Sequence, residues 1–395
     1  MLCISRRVHR RTSQAWIAAT ALACAACGEG GGIAVETVGG VPTVRNPAHG
    51  MLGDTVPWRL EQYLLVAGDQ LYERKPATYA LDVGILPNGD VVVLDAGNRR
   101  VLRFRGDGAY TGFFGGPGEG PGQFVTPIFL EVAGDRIYVL DTSLNRVTAF
   151  DTSGTFLSRF EVDLKGLAAT TPRFAAGAAD EVYVVAEPVP FMQSARDTGD
   201  AVIYRLDRSG QVADTIARLP AASWTRIQLD DDVTFVKPRM APEPHISAKP
   251  GAVALSLAAR YEIQIRRPDG SLARRVSRAY DNTAVTPEIR DSVLSLLART
   301  RTDMSREALE GIPFAPVVPA IEGLVLDGDG RFWVDPYSPE RNRRDIFDAE
   351  GRYLGPLYLP QPVFLEDVRG DRVCGVMSDP SGPAAVVCYR IIRER

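Results

Sequence analysis

This chain of 395 residues has little of what usually carries chemistry. It has three histidines, and only His49 and His245 lie beyond the N-terminal segment. No Gly-x-Ser-x-Gly and no His-Glu-x-x-His occurs, which excludes a nucleophile elbow and a zincin helix. Of five cysteines only Cys374 and Cys388 belong to the body of the chain, so at most one bridge forms there. Basic excess is absent too. The formal net charge is −4, and taking away residues 1–27, with four arginines and no acids, leaves −8. Neutralising phosphates needs a basic surface, so nucleic acid is excluded as a partner.

The N-terminus reads as a targeting segment. Arg6, Arg7, Arg10 and Arg11 precede a short apolar stretch, residues 15–23, too short to span a bilayer. Cys24-Ala-Ala-Cys27-Gly28 follows. This resembles a bacterial lipoprotein signal, in which a cysteine is acylated and becomes the mature N-terminus. Cys27 fits that place best. Cys24 stands where the pattern has Leu, Val or Ile, and is itself the alternative anchor. The resemblance implies export to the cell envelope, on the periplasmic or outer-membrane face, with the membrane met only through the lipid. Residues 28–54, Gly-rich and then punctuated by Pro, read as a tether.

What the chain does have is an internal repeat. The run from Gly89 to Gly108 returns from Gly134 to Gly154, with Asp95, Phe104 and Gly108 matched by Asp141, Phe150 and Gly154. Each unit alternates short apolar strands with Gly, Asp and Asn turns, as a β-propeller blade does. The expected fold is all-β: six four-stranded blades within 55–395. Blades 1 and 2 span about 78–118 and 126–162, and blades 3 to 6 about 181–217, 252–277, 323–358 and 363–391. Blade 6 lacks an outer strand, and residues 57–66 have no partner of their own. Joining them closes the ring and leaves no orphan edge. Residues 219–248 and 280–320 are insertions, the second opening a helix at Thr286-Pro287-Glu288. Cys374 and Cys388 are equidistant from the turn 378–383, so a hairpin sets them opposite each other. A disulfide and two buried thiols both fit that spacing.

The blade text resembles NHL-type repeats of six-bladed propellers: Gly-Asp before an apolar run ending in Leu-Asp, then Asn98-Arg99 or Asn145-Arg146, then the Gly-rich crossing 116–124. That resemblance implies the fold, and bacterial lipid-anchored propellers as relatives. It implies no activity.

In an up-and-down blade the loops between second and third strands share a rim with the crossings between blades. Candidate binding residues therefore gather on one face: Asp95, Asn98, Arg99, Asp141, Asn145, Arg146, Asp335, Tyr337, Arg341, Arg343 and Arg344. Asp95 and Asp141 suit turn capping as well as a carboxylate ring, and Arg99 and Arg146 suit bridging between blades. Arg341, Arg343 and Arg344 beside Tyr337 suit an anionic sugar, peptide carboxylate or lipid headgroup. The function expected is binding of a protein or glycan ligand, with no cofactor and no metal. The alternative is a calcium-dependent lactonase- or lyase-like enzyme using Asp95, Asp141, Glu322 or Asp335.

Overall fold

In the computed structural model of the protein, Val91–Asp95 is apolar at consecutive positions because both of its faces are buried. Successive side chains of a strand point to opposite sides. Val91 and Val93 pack with Leu64, Val66 and Cys388 of the blade before. Val92 and Leu94 pack with Phe124, Leu130 and Ile137 of the blade after. The same partition recurs around the molecule, giving a hydrophobic core in each space between blades.

The structure describes residues 32–66, 81–164, 167, 173–178, 181–187, 200–222, 224–229, 232–300, 305–377 and 384–393. Cys24 and Cys27 lie outside them. The architecture is a six-bladed β-propeller. Its inner strands are Leu81–Ile85, Pro127–Ala133, Arg173–Ala176, Ile246–Lys249, Ile321–Leu326 and Phe364–Arg369, each beside the next and the last beside the first. From each inner strand an antiparallel sheet extends outward. The ring closes as the strand arithmetic requires: Trp58–Val66 pairs antiparallel with Ala385–Arg393, from Val66 opposite Val386 to Trp58 opposite Arg393. Cys374 stands opposite Cys388, their Cα atoms 4.2 Å apart, and a disulfide joins them inside the core between blades 6 and 1.

Two devices lock neighbouring blades. The first is a carboxylate or hydroxyl on one inner strand that accepts from a backbone N–H of the next. Asp367 accepts from Ile85 (2.9 Å), Asp82 from Leu130 (2.7 Å) and Ser247 from Leu326 (2.9 Å). The second is the turn between third and fourth strands, which rests on the outer strand of the preceding blade. At Gly210 (φ 81°) a Cβ would lie 1.7 Å from the Glu161 carbonyl oxygen, so both the dihedral and the space demand glycine.

Three sequence expectations need correction. Residues 28–54 are not wholly a tether. Ala34–Val38 and Val41–Asn46 form a hairpin, and Val41–Asn46 runs parallel to Leu272–Arg278, the outer strand of blade 4. That covers a sheet edge that would otherwise be bare. The Asn46 amide fixes the join, donating to the carbonyls of Ser277 and Gly351 and accepting from Tyr353 N–H. The inner strands of blades 3 and 4 also start upstream of where periodicity placed those blades. The insertion 219–248 therefore ends inside Ile246–Lys249, and its middle holds a second hairpin, Thr225–Leu229 with Asp232–Val236. These inner strands have only four residues each and mixed polarity, so their periodicity is weak. The other insertion carries the helices Pro287–Thr300 and Arg306–Glu310. Among the described residues no helix is long and apolar enough to cross a membrane.

Two measurements check these contacts. Gly210→Ala should destabilise by about 2–4 kcal/mol in guanidinium unfolding, combining a strained dihedral with a clash. Replacing Cys374 and Cys388 together by alanine should cost about 3 kcal/mol, the value for a loop of this size; an unchanged midpoint would show that the bridge adds nothing to ring closure.

Candidate functional site

The inner strands enclose a cavity of about 290 Å³ along the propeller axis. Because each inner strand starts at the rim that carries the crossings between blades, its first residues mark one mouth and its last residues lie deeper. At the mouth are Arg173, His245, Glu322, Asp335 and Arg344. Deeper lie Asp82, Glu131, Glu366 and Asp367, on adjoining blades 1, 2 and 6, and Lys249 of blade 4. Phe129 and Phe364 add apolar surface. Glu322 and Glu366 are the extra residues of β-bulges in their strands. A bulge re-aims a side chain, and here both bulged residues line the channel.

Every cation lining the channel has a carboxylate of its own. Lys249 Nζ meets Asp367 at 3.0 Å, Arg344 meets Asp335 at 3.1 Å, and Arg173 pairs with Glu243. Glu131 and Glu366 differ. Among the described residues neither carboxylate has a hydrogen-bond or ion-pair partner, although Lys249 is near enough to attract Glu131. Glu131 is half-buried and Glu366 is exposed to the channel, so what the ring removes from Glu366 is bulk water around it more than contact with solvent. Burial pushes both glutamates well above the usual range, and the neighbouring carboxylates add to the shift. Burial also lifts Asp82 to about 7, against two backbone N–H bonds that favour its charged form. Asp335 rises to about 7 because burial outweighs Arg344.

His245 is held differently. An arginine can only donate, so Arg173, 3.1 Å from His245 Nδ1, makes that nitrogen an acceptor. The other ring nitrogen is hydrogen-bonded to the backbone of Ile321. Burial, then the charge of Arg173, push this histidine down to about 3. It is a fixed neutral ring at the mouth and a poor proton acceptor at neutral pH.

The residues nominated from sequence are scattered. Asp95 is fully buried and accepts from Asn98 N (3.3 Å), Asn98 Nδ2 (2.9 Å) and Arg100 Nε (2.8 Å). Arg99 ends that turn in the left-handed region (φ 57°) and is exposed. Asp141 accepts from the backbone N–H groups of Val125 (2.7 Å), Thr126 (3.1 Å) and Leu144 (3.0 Å). Asn145 takes the other left-handed position (φ 47°), its carbonyl accepting from Val162. Arg146 donates to the carbonyls of Glu119, Gly120 and Gln123, so it seals the Gly-rich crossing. These six residues hold turns and crossings together.

The arginine cluster also comes apart. Arg344 turns into the channel. Arg343 bonds Asp345 (2.9 Å) and the Tyr353 hydroxyl (3.2 Å), within a buried knot that Arg278 and Tyr261 join. Exposed Arg341 pairs with Glu322 (3.1 Å), and the carbonyl of half-buried Tyr337 accepts from the Tyr280 hydroxyl. The three guanidiniums do not converge on one anion. Nor do the acids considered for calcium: Asp95 and Asp141 are spent on turns, and Glu322 and Asp335 on arginines. Among the described residues no group of three or more His, Cys, Asp or Glu is placed to hold a metal ion. The lining acids missed from sequence had one visible signal, a carboxylate inside a strand otherwise apolar, as in Phe129-Leu-Glu-Val132 and Phe364-Leu-Glu-Asp367.

Comparison with known proteins gives a fold. A family model described as a 6-bladed beta-propeller matches residues 85–173. No curated protein matches the sequence. Among solved structures, a putative exported protein from Bacteroides fragilis aligns at 11% identity over 89% of this chain and 99% of its own, with a TM-score of 0.52. Virginiamycin B lyase from Staphylococcus aureus aligns at 12% over 85% and 100%, TM-score 0.42. A gluconolactonase from Xanthomonas campestris aligns at 14% over 86% and 98%, TM-score 0.42. At such identities the likeness is one of fold.

The channel acids have a consequence for stability. A carboxyl whose pKa is higher in the folded than in the unfolded chain makes folding take up protons. The stability it contributes is complete at low pH and is lost as pH rises from about 4 to about 7. The melting temperature should therefore be higher at pH 5 than at pH 8. Glu366→Gln should narrow that difference by raising the pH 8 value; a variant less stable at pH 8 would contradict the charge crowding.

Proposed function

We propose that this chain is an exported propeller, anchored in the cell envelope through an acylated Cys27, and that it binds a small organic ligand in its central channel. The ligand carries a positively charged nitrogen or several hydrogen-bond donors. One observation carries this reading. The channel's cations are matched by carboxylates, while Glu131 and Glu366 are not, so the complement they lack is positive charge. These acids line a cavity sized for a small organic molecule, walled in part by aromatic rings that favour an ammonium group. Binding is favoured over catalysis because His245, the ring best suited to proton transfer, is kept neutral by burial and by the charge of Arg173.

Native mass spectrometry of the protein drawn gently from its own membranes tests this. A bound small amine, lost in the double variant Glu131→Gln and Glu366→Gln, is the expected result. Its affinity should rise as pH climbs from 5 to 8, because the carboxyls then give up protons that compete with the ligand. A channel empty in every preparation, or a second protein seated on the rim, would replace this reading with a scaffold.

A further inference from the structure

We propose that the outer edge of blade 4, with its N-terminal hairpin, is the face this propeller turns to the membrane, and that its partner is an anionic phospholipid bilayer. This rests on the reading of Cys27 as the acylated residue.

The first ground is chain length. Residues 34–46 are folded as a hairpin, and residues 28–33 alone separate Cys27 from the strand that starts at Ala34. Seven Cα–Cα steps span at most about 25 Å, and a Gly-rich chain averages about 15 Å. The hairpin is thus confined near the anchor. The second ground is its surface. Every residue of Ala34–Val38 is exposed, and Val35 and Val38 are 68% and 41% accessible. Further along the same segment, where it passes onto the outer strand of the adjoining blade 5, Met51 and Leu52 are 55% and 48% accessible. The third ground is charge. The chain is acidic, yet residues 260–278 of blade 4 carry six arginines against Glu262 and Asp269. Arg278 is committed to Asp345, and Arg45 of the hairpin to Glu36. Arg260 and Arg267 are exposed in the turns at opposite ends of strand Glu262–Arg266, with Arg274 and Arg275 half-buried on the neighbouring strand, where Arg274 donates to the Ala349 carbonyl. Apolar side chains flanked by arginines next to an acyl anchor match an anionic lipid surface.

This placement keeps the site usable. The edge strand lies five strand spacings from the inner strand of blade 4, about 24 Å out. Contact there leaves both mouths of the channel open to the solvent.

The test uses full-length acylated protein in vesicles of phosphatidylethanolamine and phosphatidylglycerol containing a headgroup quencher. A fluorophore is attached to Val35→Cys or, on the opposite blade, to Thr111→Cys. Quenching at position 35 should exceed that at 111 by about threefold, since only a surface seated against the headgroups meets the quencher. Equal quenching, or stronger quenching at 111, overturns the orientation. The charge reversals Arg267→Glu and Arg275→Glu should shrink the excess at low salt, and an unaltered excess would overturn the electrostatic part. Met51→Cys gives a second reporter if Val35→Cys disturbs the hairpin. The anchor is checked separately by the mass of the N-terminal peptide: without an acyl group on Cys27 the underlying reading fails, whereas with lipid present the quenching pattern judges the orientation alone.

Discussion

The structure depends on one constraint: the two faces of every blade belong to two different hydrophobic cores. Val91 and Val93 need blade 6, while Val92 and Leu94 need blade 2. No blade can satisfy both of its faces alone, so stability exists only for the closed ring. Closure is accordingly the best secured seam. Trp58–Val66 completes blade 6, the disulfide braces the same sheet, and Asp367 reaches across to Ile85.

The same constraint explains what could be read from sequence. Strands buried on both faces become uninterrupted apolar runs, and Gly or Asp must punctuate the turns that rest on the next blade. Blades 1, 2, 5 and 6 and the closing strand were legible for that reason. The inner strands of blades 3 and 4 were not. They are only four residues long, and Ile246-Ser-Ala-Lys249 alternates apolar and polar over too short a run to stand out. The hairpin at 34–46 was hidden for another reason, since its partner strand lies about 230 residues away and the parallel pairing leaves no local trace.

The site was less legible than the fold. Sequence periodicity locates loop ends, where Asp95, Asp141 and Arg146 recur, and recurrence there reflects the repeated turn and crossing more than a ligand. The channel is built from residues that do not recur: Asp82, Glu131, Lys249 and Glu366 each come once, from different blades, and His245 stands just before the inner strand that carries Lys249. Their meeting is a property of the ring. Two of these acids also show how site and frame share parts. Asp82 and Asp367 bind backbone N–H groups of the neighbouring blade, and their charges raise the pKa of Glu131 and Glu366.

Ring closure joins the strand at 58–66 to the strand at 385–393, nearly the full length of the chain apart. Contacts of such separation form late, because the intervening loop must first be closed. The strand at 58–66 leaves the ribosome long before its partner at 385–393 is made. Until that strand arrives, blades 1 and 6 each present an apolar face without a neighbour. Were the chain exported, as proposed above, and threaded in extended form, its ring would assemble only after leaving the cytoplasm, in a compartment where Cys374 and Cys388 can be oxidised.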